Sequence, residues 1–250
     1  MTKNTDRRAI VDLLPQFLTR ALRGWDGLAP LLAVAGVARL TYFLLRALVQ
    51  ERDAGDGITR EEMLADLFNP YSTMRPILAA LPALVERGYV ANASGRYSVT
   101  RDGREFITHV ESEKDRYLAL LMPIPAAEIA RLAGELMVIA RRLRDAPEPE
   151  RKPHQARAWR VMPPADAAPM VRLYGAVYAL WMARDDCHNA AWRAAGFDGP
   201  AFDLLSRVWS GNATTAPALT EAVREFQRPE DVERGIAALE VAGYLTRNGE

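Results

Sequence analysis

Along residues 57–109 the spacing of apolar positions changes period twice. Ile58, Met63, Leu64 and Leu67 suit a short helix, and Ile77, Leu78, Leu81, Leu84 and Val85 recur at the three-and-four spacing of a second one. Gly88 then stands where a helix ends on a left-handed residue. Tyr89-Val90 and Tyr97-Ser98-Val99, parted by a polar turn at residues 92–95, alternate as a β-hairpin does. Residues 100–104 turn the chain into a further helix over 103–121, which ends before Pro123 and Pro125.

Upstream, Ile10, Leu13, Leu14, Phe17, Leu18, Ala21 and Leu22 fall on one face of an amphipathic helix over 6–23, with a kink expected at Pro15. Residues 24–27 break it, and a second apolar helix is predicted over 28–52. Downstream, residues 126–144 carry a stripe of Ile129, Leu132, Leu136, Ile139, Ala140 and Leu143. Residues 146–169 hold six prolines among many charges and read as a flexible or extended linker. The C-terminal part then repeats the first at an offset of 155: Leu81 falls on Ile236, Leu84 on Leu239, Gly88 on Gly243 and Tyr89 on Tyr244. Helices around residues 202–205 and 218–223, and one starting at Pro229, complete a second unit. Only one strand and half a turn follow its glycine, so its wing is expected to be reduced or completed by another element.

Helix, turn, helix, two-stranded wing, helix is the order of a winged helix-turn-helix. The segment LVERGYV, followed by the short hairpin and TRDGREF, resembles the wing region of MarR-type transcriptional regulators. The expected fold is mainly α with small β wings: two tandem winged helix-turn-helix units joined by a helical connector. The units divide as an N-terminal amphipathic helix over 1–27, the first winged unit over 28–110, the connector over 111–145, the linker over 146–169, and an aromatic helix plus the second unit over 170–250. The resemblance implies a regulator that binds double-stranded DNA as a homodimer, with dimerisation through the N-terminal helices. Packing of those helices on their own winged unit is the alternative. Tandem winged helices also serve as adaptors that bind protein partners, as in bacterial chromosome-segregation accessory proteins.

Composition changes this picture in one respect. The chain of 250 residues has 32 basic and 32 acidic side chains, a net charge of zero, where a nucleic-acid binder is expected to be basic. The charge is unevenly spread: residues 1–163 carry a net +4 and residues 164–250 a net −4, so DNA is expected on the N-terminal half. Cys187, the single cysteine, excludes an intrachain disulfide and a cysteine zinc cluster, and the sequence implies no metal and no cofactor. The apolar run at 28–48 is interrupted by Arg39 and Arg46, so no membrane span is expected. With no signal-peptide pattern at the start, the expected location is the cytoplasm.

The candidate DNA contacts follow from the winged reading. Ser72, Thr73 and Arg75 lie at the start of the recognition helix over 72–87, where side chains reach base edges, and its later outward positions are alanine and proline. Arg96 in the hairpin turn, with Arg101 and Arg104 just beyond it, suits phosphate contact. The second unit's equivalent helix opens with Glu230, Asp231 and Glu233, which phosphates would repel. It reads instead as a partner-binding or dimerisation module. Tyr178, Trp181, Asp185, His188 and Trp192, with Tyr174, share one helical face that could hold a flat or cationic small-molecule effector or form a core stripe. No hydrolase, metalloprotease, P-loop or dinucleotide-binding motif is present, so the expectation is a non-enzyme.

Overall fold

A computed structural model of the chain describes residues 13–51, 57–60, 62–63, 78–224 and 227–246. Ser72, Thr73, Arg75 and Ile77 lie outside them, as do Ile10, Leu64, Leu67 and the residues after Thr246. The described residues are mainly helical, with a small two-stranded antiparallel sheet.

The chain opens with α1, residues 13–21, and a turn that leads to α2, Leu28–Ala35, and α3, Arg39–Glu51. The single helix expected over 28–52 is thus two. The break is Gly36 at φ 61°, where Val37 N–H donates to the Leu32 carbonyl at 2.8 Å and closes the helix end. After α3, Ile58 forms a β-bridge with Tyr97, and Thr59 begins a helical turn through a capping box. In that box the Glu62 amide donates to Thr59 Oγ1 at 3.2 Å, while the Thr59 amide donates to the Glu62 carboxylate at 2.8 Å.

Next come α4, Leu81–Glu86, and the hairpin of β1, Val90–Ala93, and β2, Arg96–Val99, paired Val90↔Val99 through Ala93↔Arg96. Its two-residue turn has positive φ at both Ser94 and Gly95, the geometry that matches strand twist, and Asn92 Oδ1 accepts the Gly95 amide. The long helix α5, Arg101–Ala119, starts on Thr100, whose hydroxyl accepts the Gly103 amide and donates to the Gly88 carbonyl at 2.6 Å.

α6, Ala126–Asp145, packs along the 26-residue α8, Pro169–Ala194. The stretch expected as a linker is not extended throughout: Pro153–Arg160 is a helix, α7, with His154, Gln155, Arg157 and Ala158 buried. Asp186 of α8 holds its start, accepting the backbone amides of His154 and Gln155 at 3.0 and 2.8 Å. The last three helices are α9, Gly199–Trp209, α10, Ala216–Val223, and α11, Pro229–Val241, with Asp198 and Thr215 capping the first two.

The apolar side chains divide into clusters that follow this order. One gathers α2 to α5, with Leu44, Leu45, Leu81, Leu84, Val90 and Val110 at its centre. A second joins α1, the end of α5, α6 and the first half of α8, and a third belongs to α9–α11. Each fully buried leucine contributes roughly 1.5–3 kcal/mol. α5 enters two clusters, Val110 in the first and Leu118 in the second. The expected stripe of α6 is only partly covered. Ile129 and Ala140 are buried, whereas Ile139 and Leu143 are exposed.

The internal repeat is borne by matching helix ends. Gly88 and Gly243 both have left-handed backbone, φ 72° and 77°, and the next amide reaches back to Leu84 and Leu239 respectively, at 3.0 and 2.9 Å. Leu81 and Leu84 are buried in one cluster as Ile236 and Leu239 are in the other.

Candidate nucleic-acid interface

The Ile58–Tyr97 bridge ties the segment before Thr59 to the outer strand of the hairpin, with paired backbone bonds of 2.8 and 3.0 Å. It also decides where Arg96 goes. Arg96 Nη2 donates to the Gly57 carbonyl at 2.8 Å and lies 3.6 Å from the Glu62 carboxylate. The side chain therefore braces the turn end of the hairpin while remaining about 43% exposed. Arg101 is 87% exposed at the first turn of α5 and pairs with Glu105 at 2.6 Å, an exposed pair that solvent screens. Arg104 is half-buried one turn further on.

Two arginines that the pattern of the sequence did not single out join this surface. Arg60 is exposed and lies over the Tyr97 ring at 6.0 Å. The Thr59-to-Glu62 capping spacing could have placed it, because it sets Arg60 in the first turn after the cap. Arg87, exposed at the end of α4, donates to the Ala35 carbonyl at 3.0 Å and so caps α2. No local signal connects residues 52 positions apart.

The aromatic face of α8 splits along its length. Tyr178 lies under the Arg46 guanidinium at 5.3 Å, and its hydroxyl is 3.5 Å from Gln50 Oε1. Trp181 is half-buried with Arg184 over its ring at 4.3 Å, and Asp185 is buried and paired with Arg184 at 2.9 Å. His188 meets Phe202 of α9, and Trp192 is buried near Arg193. Tyr178 thus faces α3, while His188 meets the start of the C-terminal helices. Among the described residues no group of three or more His, Cys, Asp or Glu could hold a metal ion.

Between α7 and α8 lies a buried polar cluster. The His154 ring contacts Arg157 and, at 2.8 Å, the Asn189 amide. Burial, then Arg157, holds its pKa down at about 3. Burial also raises Asp186 to about 6, against the lowering effect of its two backbone amides. The two act oppositely on stability. Between pH 6.5 and 3 the unfolded histidine binds a proton that the folded one lacks, so acidification favours unfolding. Between about 6 and 3.9 the folded aspartate holds a proton that the unfolded one lacks, so acidification favours the fold. Asp186→Asn removes the second effect. Relative to the parent it should lose about 1.4 kcal/mol more per pH unit on acidification through that window. Urea unfolding at several pH values checks this, and parallel stability curves would contradict it.

A second ionic cluster joins α3 to α5. Arg46 Nε donates to Glu111 at 2.7 Å, Tyr42 Oη to the same oxygen at 3.1 Å, and Lys114 Nζ to the other oxygen at 2.5 Å. Burial alone would raise the Glu111 carboxyl, but Arg46 and Lys114 outweigh it and hold the pKa at about 2. Burial raises the neighbouring Tyr174 hydroxyl to about 12, and Lys114 lies over its ring at 5.3 Å. The sequence reading missed this group because Arg46 and Glu111 are 65 residues apart and none of its members belongs to a motif.

No helix of the described residues is long and apolar enough to cross a membrane. Comparison with known proteins finds no matching family model, curated protein or solved structure.

Proposed function

We propose that residues 28–110 form a winged helix-turn-helix that binds double-stranded DNA, and that the chain is a homodimeric, cytoplasmic, non-enzymatic transcriptional regulator of MarR type. One observation carries the reading: the order α3, Ile58 bridge, capped helical turn, α4, β1, β2, with Ile58 pairing to β2 on the side away from β1. Arg60, Arg96, Arg101 and Arg104 stand on or beside the hairpin, where phosphate contacts would form, and Ser72, Thr73 and Arg75 would supply base contacts. The net +4 of the N-terminal half agrees with this, and the acidic first turn of α11 keeps DNA off the second unit. Regulation would be a population shift, in which a ligand or partner alters the spacing of two recognition helices on a two-fold operator.

Arg101→Ala tests the phosphate role. Affinity should fall for every sequence alike, and the slope of log affinity against log salt should flatten by about one unit. Glu105→Ala, which releases Arg101 from its ion pair, should strengthen binding. Unchanged slopes in both variants would remove the start of α5 from the interface.

Two observations favour a second reading, a tandem winged-helix adaptor for protein partners. Arg96 is drawn back onto Gly57 and Glu62, and Val34 of α2 is 91% exposed on a helix with no charged residue. A protein partner would cover that apolar surface.

A further inference from the structure

α7 has eight residues and no side-chain cap of its own, and helices so short do not persist alone in water. It is a helix only where it is docked. Pro147, Pro149 and Pro153 before it, and Pro163 and Pro164 after it, part its hydrogen-bonded backbone from those of α6 and α8. We propose that α7 is an order–disorder strap, which unfolds and leaves α8 while α6 and α8 stay folded, and which by leaving frees the end of α3.

The docked face of α7 is poor in apolar contact. Ala158 is buried and Trp159 half-buried, whereas the other buried side chains, His154, Gln155 and Arg157, are polar. Burying polar groups costs free energy unless they are hydrogen-bonded, and Gln155 Oε1 and Trp159 Nε1 have no partner. What holds the helix is chiefly one carboxylate. Asp186 of α8 accepts the His154 and Gln155 amides, and Asn189 adds a bond to the His154 ring at 2.8 Å. Asp186 is itself fully buried, so release would return its charge to water. The contact that orders α7 is thus opposed by the burial it requires.

The other side of α7 reaches α3. Arg160 Nη1 donates to the Gln50 carbonyl at 2.8 Å, and Arg157 Nε lies 3.7 Å from the Glu51 carboxylate. Gln50 and Glu51 form the last turn of α3, where carbonyls lack partners within the helix and cations are favourable. Order therefore passes from Asp186 of α8 to α7, and from its arginines to α3. The strap does not depend on the DNA reading. If that reading holds, it lets α8 act on the unit that carries α3.

Hydrogen–deuterium exchange of the full chain, read by mass spectrometry at neutral pH, tests the strap. Amides of residues 156–161 should exchange at least about tenfold faster than those in the middle of α6 and α8. Asp186→Ala should remove the remaining protection of α7 and speed exchange in the last turn of α3, with α9–α11 unchanged. Because that variant alters a buried group, exposed Arg160→Ala provides a second reading with little risk to the fold. It should speed exchange in the last turn of α3 while α5 stays within about twofold of the parent. Three results would each overturn the proposal: α7 protected as strongly as α8 in the parent, α7 unchanged in Asp186→Ala, or the end of α3 unmoved by both substitutions. None of them bears on DNA binding, which is measured separately.

Discussion

Glu111→Ala is expected to lower the melting temperature by about 10 °C, the equivalent of about 3 kcal/mol for a chain of this size. The carboxylate accepts from Tyr42, Arg46 and Lys114 at once, and its side chain is 22% exposed. Removing it leaves two cations facing each other in a partly dry site, which is far costlier than losing a surface pair. The lower end of the usual range for a buried pair applies because some water reaches the group. The pH dependence carries the same sign. Glu111 has a folded pKa of about 2, below the unfolded value near 4.3, so its contribution is present above pH 4.3 and is lost as pH falls toward 2. The variant should lack this acid-sensitive component. A melting temperature within about 2 °C of the parent would mean the cluster is effectively in solvent.

Gly103→Ala should destabilise by about 2–3 kcal/mol even though alanine is the better helix former by about 1 kcal/mol. A Cβ on Gly103 would lie 2.3 Å from the Tyr89 carbonyl oxygen and 3.0 Å from Val99 Cγ1. The first is backbone, fixed by the hydrogen bond it accepts from Thr100 at 3.0 Å, so the start of α5 would have to move off the hairpin. Gly88→Ala is the control. There a Cβ meets nothing within 4 Å, and only the left-handed backbone, at 1–2 kcal/mol or so, opposes it. Chemical denaturation of both variants should show Gly103→Ala as the more damaging, and the reverse order would contradict the packing of α5 on Tyr89.

Local signals account for the elements that the sequence made legible. The hairpin followed from alternation around an Asn-to-Gly turn, α8 from the helical spacing of its aromatic face, and α11 from its proline start. The repeat at offset 155 was visible because a glycine, with apolar residues at matching positions before it, closes both α4 and α11. What escaped was non-local. α7 looked like linker because its start is fixed by Asp186, some 30 residues later, rather than by a cap of its own. The break at Gly36 lay hidden in a run apolar on both sides, where one glycine does not by itself end a helix. Arg96 was placed correctly in the hairpin, yet its partners Gly57 and Glu62 come from a segment that only the Ile58 bridge brings near.

The central claim is that the N-terminal half binds duplex DNA through its arginines. Its most direct test is the fluorescence anisotropy of a labelled random-sequence duplex, titrated with the full chain over a series of salt concentrations. Contacts from Arg60, Arg96, Arg101 and Arg104 predict that log affinity falls linearly with log salt, with a slope of about −3 or steeper. Absence of binding at low salt, or a slope near zero, would contradict the account and leave the adaptor reading in its place.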